Sequence, residues 1–197
     1  MTADRAPRPR PRRESLAERR ERRAAIEDPT VVLEAAARFL EVRARSVTEV
    51  RRRLGQAGYR TDLVEGAIVR LMELGMLDDE EFARAWVQSR DRARPRGERA
   101  MRDELRLKGI DRLTMDLVLG ERREATVAAS GDGDGDLSAD RAAAERLLAK
   151  NERLLARVTD PRKRRQKAYA LLARNGFDPE TCSTLAARLT TGSTSND

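Results

Sequence analysis

The sequence predicts an all-α chain, drawn out as an elongated array of three tandem three-helix repeats behind a disordered basic N-terminal tail. Three observations lead there. The composition is 38% charged, 39% hydrophobic and only 3% aromatic, a balance suited to helices with thin apolar stripes and not to a broad sheet core. From Val31 onward the apolar residues recur at spacings of three and four, the period of one helix face. A helix-end pattern also occurs three times, at Leu54-Gly55-Gln56-Ala57-Gly58-Tyr59, Leu105-Arg106-Leu107-Lys108-Gly109-Ile110 and Leu172-Ala173-Arg174-Asn175-Gly176-Phe177. In each, a leucine precedes a glycine by four residues and a bulky apolar residue follows it. That is the form of a helix that buries its last leucine, reverses at a glycine of positive φ and packs the next apolar residue underneath. Three unrelated helix ends would also give it, but the patterns on either side repeat too.

The elements follow in order. Residues 1–28 hold the Arg/Pro run from Arg5 to Arg13, where proline removes backbone donors and like charges repel, so a disordered tail is expected. Its second half, Leu16 to Ile26, has the makings of a charged helix in a bound state. Repeat 1 spans 29–76. Val32, Ala36, Phe39 and Leu40 mark a first helix, and Ser46-Val47-Thr48-Glu49 has the form of a capping box. The next helix turns Val47, Val50 and Leu54 inward, and Asp62 and Glu65 are placed to cap a third that carries Val64, Ala67, Ile68 and Leu71 and closes at Gly75. Repeat 2 spans 77–124. Asp78 is the expected N-cap of a helix bearing Phe82, Ala85 and Trp86, and Pro95-Arg96-Gly97 breaks it. A second helix carries Met101 and Leu105, and a third, from about Arg112 to Glu124, carries Leu113, Leu117 and Val118.

Residues 125–140 read as a flexible Gly/Asp linker. The alternate aspartates from Asp132 resemble a calcium loop, but its sixth and twelfth places hold Leu137 and Ala143 instead of the Gly and Glu that calcium coordination needs. Repeat 3 spans 141–190. Leu147, Leu148, Asn151, Leu154 and Leu155 form one stripe. Asp160-Pro161 opens a helix with Ala168, Leu171 and Leu172, and Asp178-Pro179 opens another with Cys182, Leu185 and Leu189. Residues 191–197 form a polar tail.

Composition also excludes function classes. The chain has 197 residues, no histidine and one cysteine. The commonest general base and metal ligand is therefore missing, and no intrachain disulfide can form. No metal or cofactor is expected. Neither a Walker-type phosphate loop nor a nucleophile–base constellation occurs, so the chain reads as a non-enzyme. No apolar run reaches bilayer length and the N-terminus lacks a secretory h-region. A cytoplasmic monomer that stays off membranes is expected. The formal net charge of +7 favours an anionic partner, a nucleic acid or a nucleoprotein, although an Arg-rich proteome alone would also raise it.

The cations fall at matching places in the repeats. Arg43, Arg45 and Arg51 to Arg53 surround the middle helix of the first, and Arg94, Arg96, Arg99, Arg102 and Arg106 that of the second. Arg162, Lys163, Arg164, Arg165 and Lys167 open that of the third. Arg99, Arg102 and Arg106 are spaced to share a face away from Met101 and Leu105. The candidate interface residues are Arg45, Arg51, Arg52, Arg94, Arg96, Arg99, Arg102, Arg106, Lys163, Arg164, Arg165 and Lys167. Solvated helix faces paired with Glu98, Asp103 and Glu104 are the plainer explanation for any single one. Adjacent Asp78 and Asp79 diverge by about 100° on a helix, so capping and dipole complementarity explain them better than catalysis. Trp86 and Tyr59 are candidates for stacking on bases, but both lie on apolar stripes and are expected in the core. Three-helix units of this kind also suit a helix-turn-helix reading, though no recognition helix stands out.

The stretches LGMLDDEEFARAWV (Leu74 to Val87) and RPRGERAMRDELRLKGI (Arg94 to Ile110) resemble the central repeat of the RecX family, and the resemblance extends over about residues 31 to 189. The Arg/Pro tail and the Gly/Asp linker depart from that pattern. The resemblance implies an all-helical repeat protein that binds RecA filaments on DNA, with single- and double-stranded DNA as weaker partners. It also implies a non-catalytic role, usually inhibitory, toward RecA ATPase and strand exchange in recombination and the SOS response. A sequence-independent DNA-binding protein that merely competes for DNA is the alternative.

Overall fold

The computed structural model describes residues 14–130 and 139–191, and these are helical throughout their regular structure. The helices are α1 (Leu16–Ala24), α2 (Pro29–Leu40), α3 (Val47–Ala57), α4 (Thr61–Glu73), α5 (Asp79–Ala93), α6 (Glu98–Leu107), α7 (Arg112–Ser130), α8 (Ala139–Lys150), α9 (Glu152–Ala156), α10 (Pro161–Arg174) and α11 (Pro179–Thr191). They form two compact units. The Arg/Pro run, the Gly/Asp segment with its calcium-like spacing and the C-terminal tail lie outside the described residues.

The first unit comprises the described residues up to Ala44 together with Glu49–Leu77. Val32 and Ala36 of α2, Val50 and Leu54 of α3, and Val64, Ala67, Ile68 and Leu71 of α4 form its core. These are the stripes read from the sequence. The charged segment expected to be helical when bound is already a helix, α1, closed by a capping box between Ser15 and Glu18. It rests on the end of α3, where Arg23 donates to the Ala57 carbonyl at 3.2 Å and lies 5.5 Å from the centre of the Tyr59 ring. The cap of α4 is shifted from expectation. Arg60 is its N-cap residue, and Asp62 sits inside the first turn, bonded to the Arg60 guanidinium.

The second unit holds Arg45–Thr48 and the described residues from Asp78 onward. Its α5–α7 layer buries Phe82, Ala83, Val87, Met101, Leu105, Ile110, Met115, Val118 and Leu119. The α8–α11 layer buries Ala143, Ala144, Leu147, Leu148, Leu155, Ala168, Leu172, Phe177, Cys182, Leu185 and Ala186. Three details differ from the sequence reading. Ala85, Leu113 and Leu117 are exposed, because the buried faces run through Ala83 and Val87 on α5 and through Met115, Val118, Leu119 and Arg122 on α7. Helix α7 continues to Ser130, since residues 125–130 contain no Gly or Pro to stop it. The stripe from Leu147 to Leu155 is broken at Asn151, whose side-chain amide donates to the Leu147 carbonyl at 2.8 Å. Asn151 ends α8 and opens α9, leaving Leu154 outside the core.

The repeated helix end is a Schellman motif. Tyr59, Ile110 and Phe177 donate their amides to the carbonyls of Leu54, Leu105 and Leu172, and Gly58, Gly109 and Gly176 donate to the residue three before them. Their φ values are 100°, 80° and 81°, the left-handed region that glycine enters without strain. Gly75 makes a fourth copy, with φ of 65° and the Met76 amide bonded to the Leu71 carbonyl. Two of these ends are also contact points inside the second unit. Thr48 sits on Gly109, where a Cβ would lie 2.1 Å from its hydroxyl oxygen, and the Ser46 hydroxyl donates to the Lys108 carbonyl at 2.6 Å. Gly97 and Ala100 sit on Gly176 in the same way, and the Gly97 amide donates to the Asn175 carbonyl at 3.0 Å. Asp79, expected only to complement its own helix dipole, accepts the Val47 amide at 2.8 Å.

Candidate functional site

The second unit carries the candidate surface. Helix α6, with Gly97 as its N-cap residue, turns Met101 and Leu105 fully inward. That leaves Arg99, Arg102 and Arg106 together on the wall of a cleft of about 640 Å³. Tyr169 and Ala173 of α10 and the segment Gly176 to Pro179 line the opposite side. The grouping of the three arginines is the one their spacing predicted, but their roles differ. Arg102 is held by Glu98 at 2.9 Å and Asp116 at 2.6 Å. The Asp116 bond raises its pKa further above the ordinary guanidinium value, against a desolvation that lowers it. Arg106 pairs with Asp103 at 2.6 Å on the exposed rim. Arg99 is exposed and has no ion pair among the described residues.

The other candidates divide in the same manner. Arg96 is half-buried, within 3.4 Å of Glu104 and bonded to the Asn175 side chain at 2.9 Å, so it ties α6 to the end of α10. Arg94 is exposed at the end of α5, and Arg45 is half-buried in the segment that belongs to this unit. On α10, Arg164 donates to the Val158 carbonyl at 2.9 Å. Arg162, Lys163, Arg165 and Lys167 are exposed, with no acid partner among the described residues. A helix whose Asp160 N-cap accepts from the Arg162 and Lys163 amides thus opens with four uncommitted positive side chains. Within the first unit, Arg51 grips Glu65 at 2.6 and 2.8 Å, while Arg52 is exposed.

Two residues of this unit were not legible as functional or structural keys. Arg122, in the middle of α7, is only 8% exposed. It binds Asp91 through two bonds of 2.9 and 3.0 Å and Asp140 at 2.7 Å, and Asp140 in turn accepts the Glu98 amide at 2.8 Å. Burial lowers its pKa, but the two aspartates more than offset this and leave it raised. Tyr169 lines the cleft instead of joining the core of α10. Its position one residue past the buried Ala168, about 100° round the helix, was the available signal. Trp86 packs against the core as expected, with its indole N–H donating to Glu104 at 2.9 Å. Cys182 is buried and its thiol is pushed up in pKa by that burial.

The family model described as the first three-helix domain of RecX matches residues 33–71, and that of the second three-helix domain matches residues 78–119. The Regulatory protein RecX of Mycobacterium sp. (strain JLS) is 35% identical over 143 residues, which is 71% of this chain and 71% of that protein. That of Mycolicibacterium smegmatis is 35% identical over 72% of this chain and 70% of its own length. A RecX crystal structure from Lactobacillus salivarius aligns over 84% of this chain and 98% of its own, with a TM-score of 0.62 and 19% identity. A second crystal structure of regulatory protein RecX gives a TM-score of 0.61 at 20% identity, covering 78% of this chain and 68% of that one, so both support the fold. Sequence and architecture agree, and the chain belongs to the RecX family of regulatory proteins.

Proposed function

We propose that this chain regulates RecA without catalysis of its own. It binds RecA–DNA filaments through the basic surface of its second unit, and it lowers RecA ATPase and strand-exchange activity in recombination and the SOS response. The observation that carries the reading is the set of uncommitted cations, Arg99 on α6 and Arg162, Lys163, Arg165 and Lys167 on α10, on a chain of a regulatory family. Such a surface suits phosphates or the acidic walls of a filament groove. Arg96 and Arg102 support the surface from behind through their acid and amide partners, and Arg99 and α10 meet the partner. The chain offers no histidine, and its one thiol is buried, which fits a role exerted by binding. The setting is the cytoplasm, with the chain acting as a monomer and DNA as its secondary partner.

The test is the DNA-dependent ATPase of the cognate RecA on preformed filaments at saturating DNA, titrated with this protein. Inhibition at substoichiometric protein is expected. The same cations favour one other reading, a sequence-independent DNA-binding protein that acts by competition. That reading predicts no effect until free DNA is exhausted, and it would replace the proposal if so observed.

A further inference from the structure

The chain has six aromatic residues, and five of their rings are committed. Phe82 and Phe177 are buried in the two cores of the second unit. The Phe39 ring has Arg53 over it at 5.7 Å and the Tyr59 ring has Arg23 at 5.5 Å. Trp86 is covered by Arg90 at 4.2 Å and Lys108 at 4.8 Å. Tyr169 is the exception. It is 40% exposed, and among the described residues its ring meets neither a cation nor another ring, and its hydroxyl makes no hydrogen bond.

Most of the acids around that ring are committed, and the unpaired cations of α10 stand beside it. Of the carboxylates in the cleft, Glu98 is held by Arg102 and Arg123, Asp103 by Arg106, and Asp140 by Arg122. Asp178 accepts the Thr181 amide and keeps its negative charge opposite Arg99. Arg99 faces the same cleft with no ion pair among the described residues. On α10, Arg165 and Arg162 precede Tyr169 by four and seven residues, on the same side of the helix and about 6 and 10 Å along it at 1.5 Å per residue. An open ring flanked by unpaired guanidinium groups is the pairing of stacking platform and electrostatic track found in single-strand binding surfaces. A duplex has no use for the ring, since its bases are already stacked on each other.

We propose that Tyr169 is a base-stacking platform for single-stranded nucleic acid. The strand lies over α10 and the α6 wall of the cleft, with Arg99, Arg162 and Arg165 on its phosphates. The proposal rests on the reading of DNA as a partner of this surface and gives it a strand preference and a specific stacking residue. The experiment uses the full chain without RecA. Fluorescence anisotropy measures its binding to a labelled oligothymidylate, an oligouridylate and a DNA duplex, across a salt series. Tyr169→Ala is expected to weaken oligothymidylate binding by roughly five-fold or more, and Tyr169→Phe to stay near wild type. Duplex affinity should change little in either. Arg162→Gln with Arg165→Gln should lower the salt slope for the single strand by roughly 0.7 for each phosphate no longer neutralised.

Preference for the thymidylate identifies DNA as the natural strand. Equal affinity for both oligonucleotides leaves the stacking site in place and makes it general for single strands. Circular dichroism of the Ala variant checks the fold. Wild-type binding by the folded Tyr169→Ala variant, or equal losses on duplex and single strand, would overturn the proposal. So would unchanged strand binding with weakened RecA inhibition, which would place a protein against the ring. Inhibition of RecA by a chain that binds no single strand sinks this inference alone and leaves the regulatory reading standing.

Discussion

At the residue scale, the arginines that look alike in the sequence do different work. Arg122 is buried between Asp91 and Asp140, and removing one partner of a buried ion cluster leaves charge without compensation. Arg122→Met should therefore cost about 3–5 kcal/mol in chemical denaturation, far more than Arg99→Met, which should be nearly neutral for stability. Asp116 gives a pH signature. The hydrogen bond from Arg102 holds its carboxyl below the ordinary value of 3.8, so the folded pKa lies under the unfolded one. The stability this contributes is fully present above the unfolded value and is lost as pH falls through the folded one. Asp116→Asn should lower stability at neutral pH and flatten the decline below about pH 4, read from denaturation midpoints across an acid series. None of this pairing was legible in the sequence. Arg102 and Asp116 are 14 positions apart and Arg122 and Asp91 are 31 apart, and a charged residue within a helix reads as solvated until a neighbouring helix brings its counter-ion. The Arg99, Arg102 and Arg106 cluster was legible because it needs only the period of one helix.

At the scale of elements, the Schellman ends were the clearest signal in the chain, because glycine and its flanking apolar residues act within six residues of one another. Their second use, as places where another segment lies against the backbone, could not be seen, since it depends on partners such as Gly97 and Thr48 that are remote in sequence. Three substitutions separate the two uses. Gly75→Ala meets only the left-handed conformation, with open space around its Cβ, and should cost about 1–2 kcal/mol. Gly176→Ala meets the same conformation and places a Cβ 2.4 Å from the Ala100 Cβ and 2.6 Å from its backbone nitrogen. It should cost about 1–3 kcal/mol more, the range for overpacking. Gly55→Ala, inside α3 with nothing within 4 Å of the added methyl, should stabilise by about 0.5–1 kcal/mol. Thermal and urea unfolding of the three variants beside wild type gives the order directly. The misassigned faces of α5 and α7 have a related cause. Leu113 and Leu117 are spaced as a stripe, as are Met115, Val118 and Leu119, and only packing within the α5–α7 core decides which set faces inward.

At the scale of the whole molecule, the proposed action on RecA has two possible sources, the net charge and its placement. A formal charge of +7 attracts any polyanion at low salt, and screening weakens that general attraction as salt rises. The cations of α10 are different in kind, because Arg162, Lys163, Arg165 and Lys167 have no acid partner among the described residues, whereas Arg22, Arg38, Arg60 and Arg70 pair with Glu14, Glu34, Asp62 and Glu73. Reversing either set of four to glutamate changes the net charge equally, and all eight side chains are surface-exposed or nearly so. If placement governs function, reversal on α10 should abolish inhibition of the filament ATPase near physiological salt. The control reversal should keep inhibition within a few-fold of wild type and show its effect only at low ionic strength. Equal loss from both folded variants would mean that RecA–DNA filaments respond to the charge of this chain as a whole. The surface of the second unit would then have no privileged part in the contact.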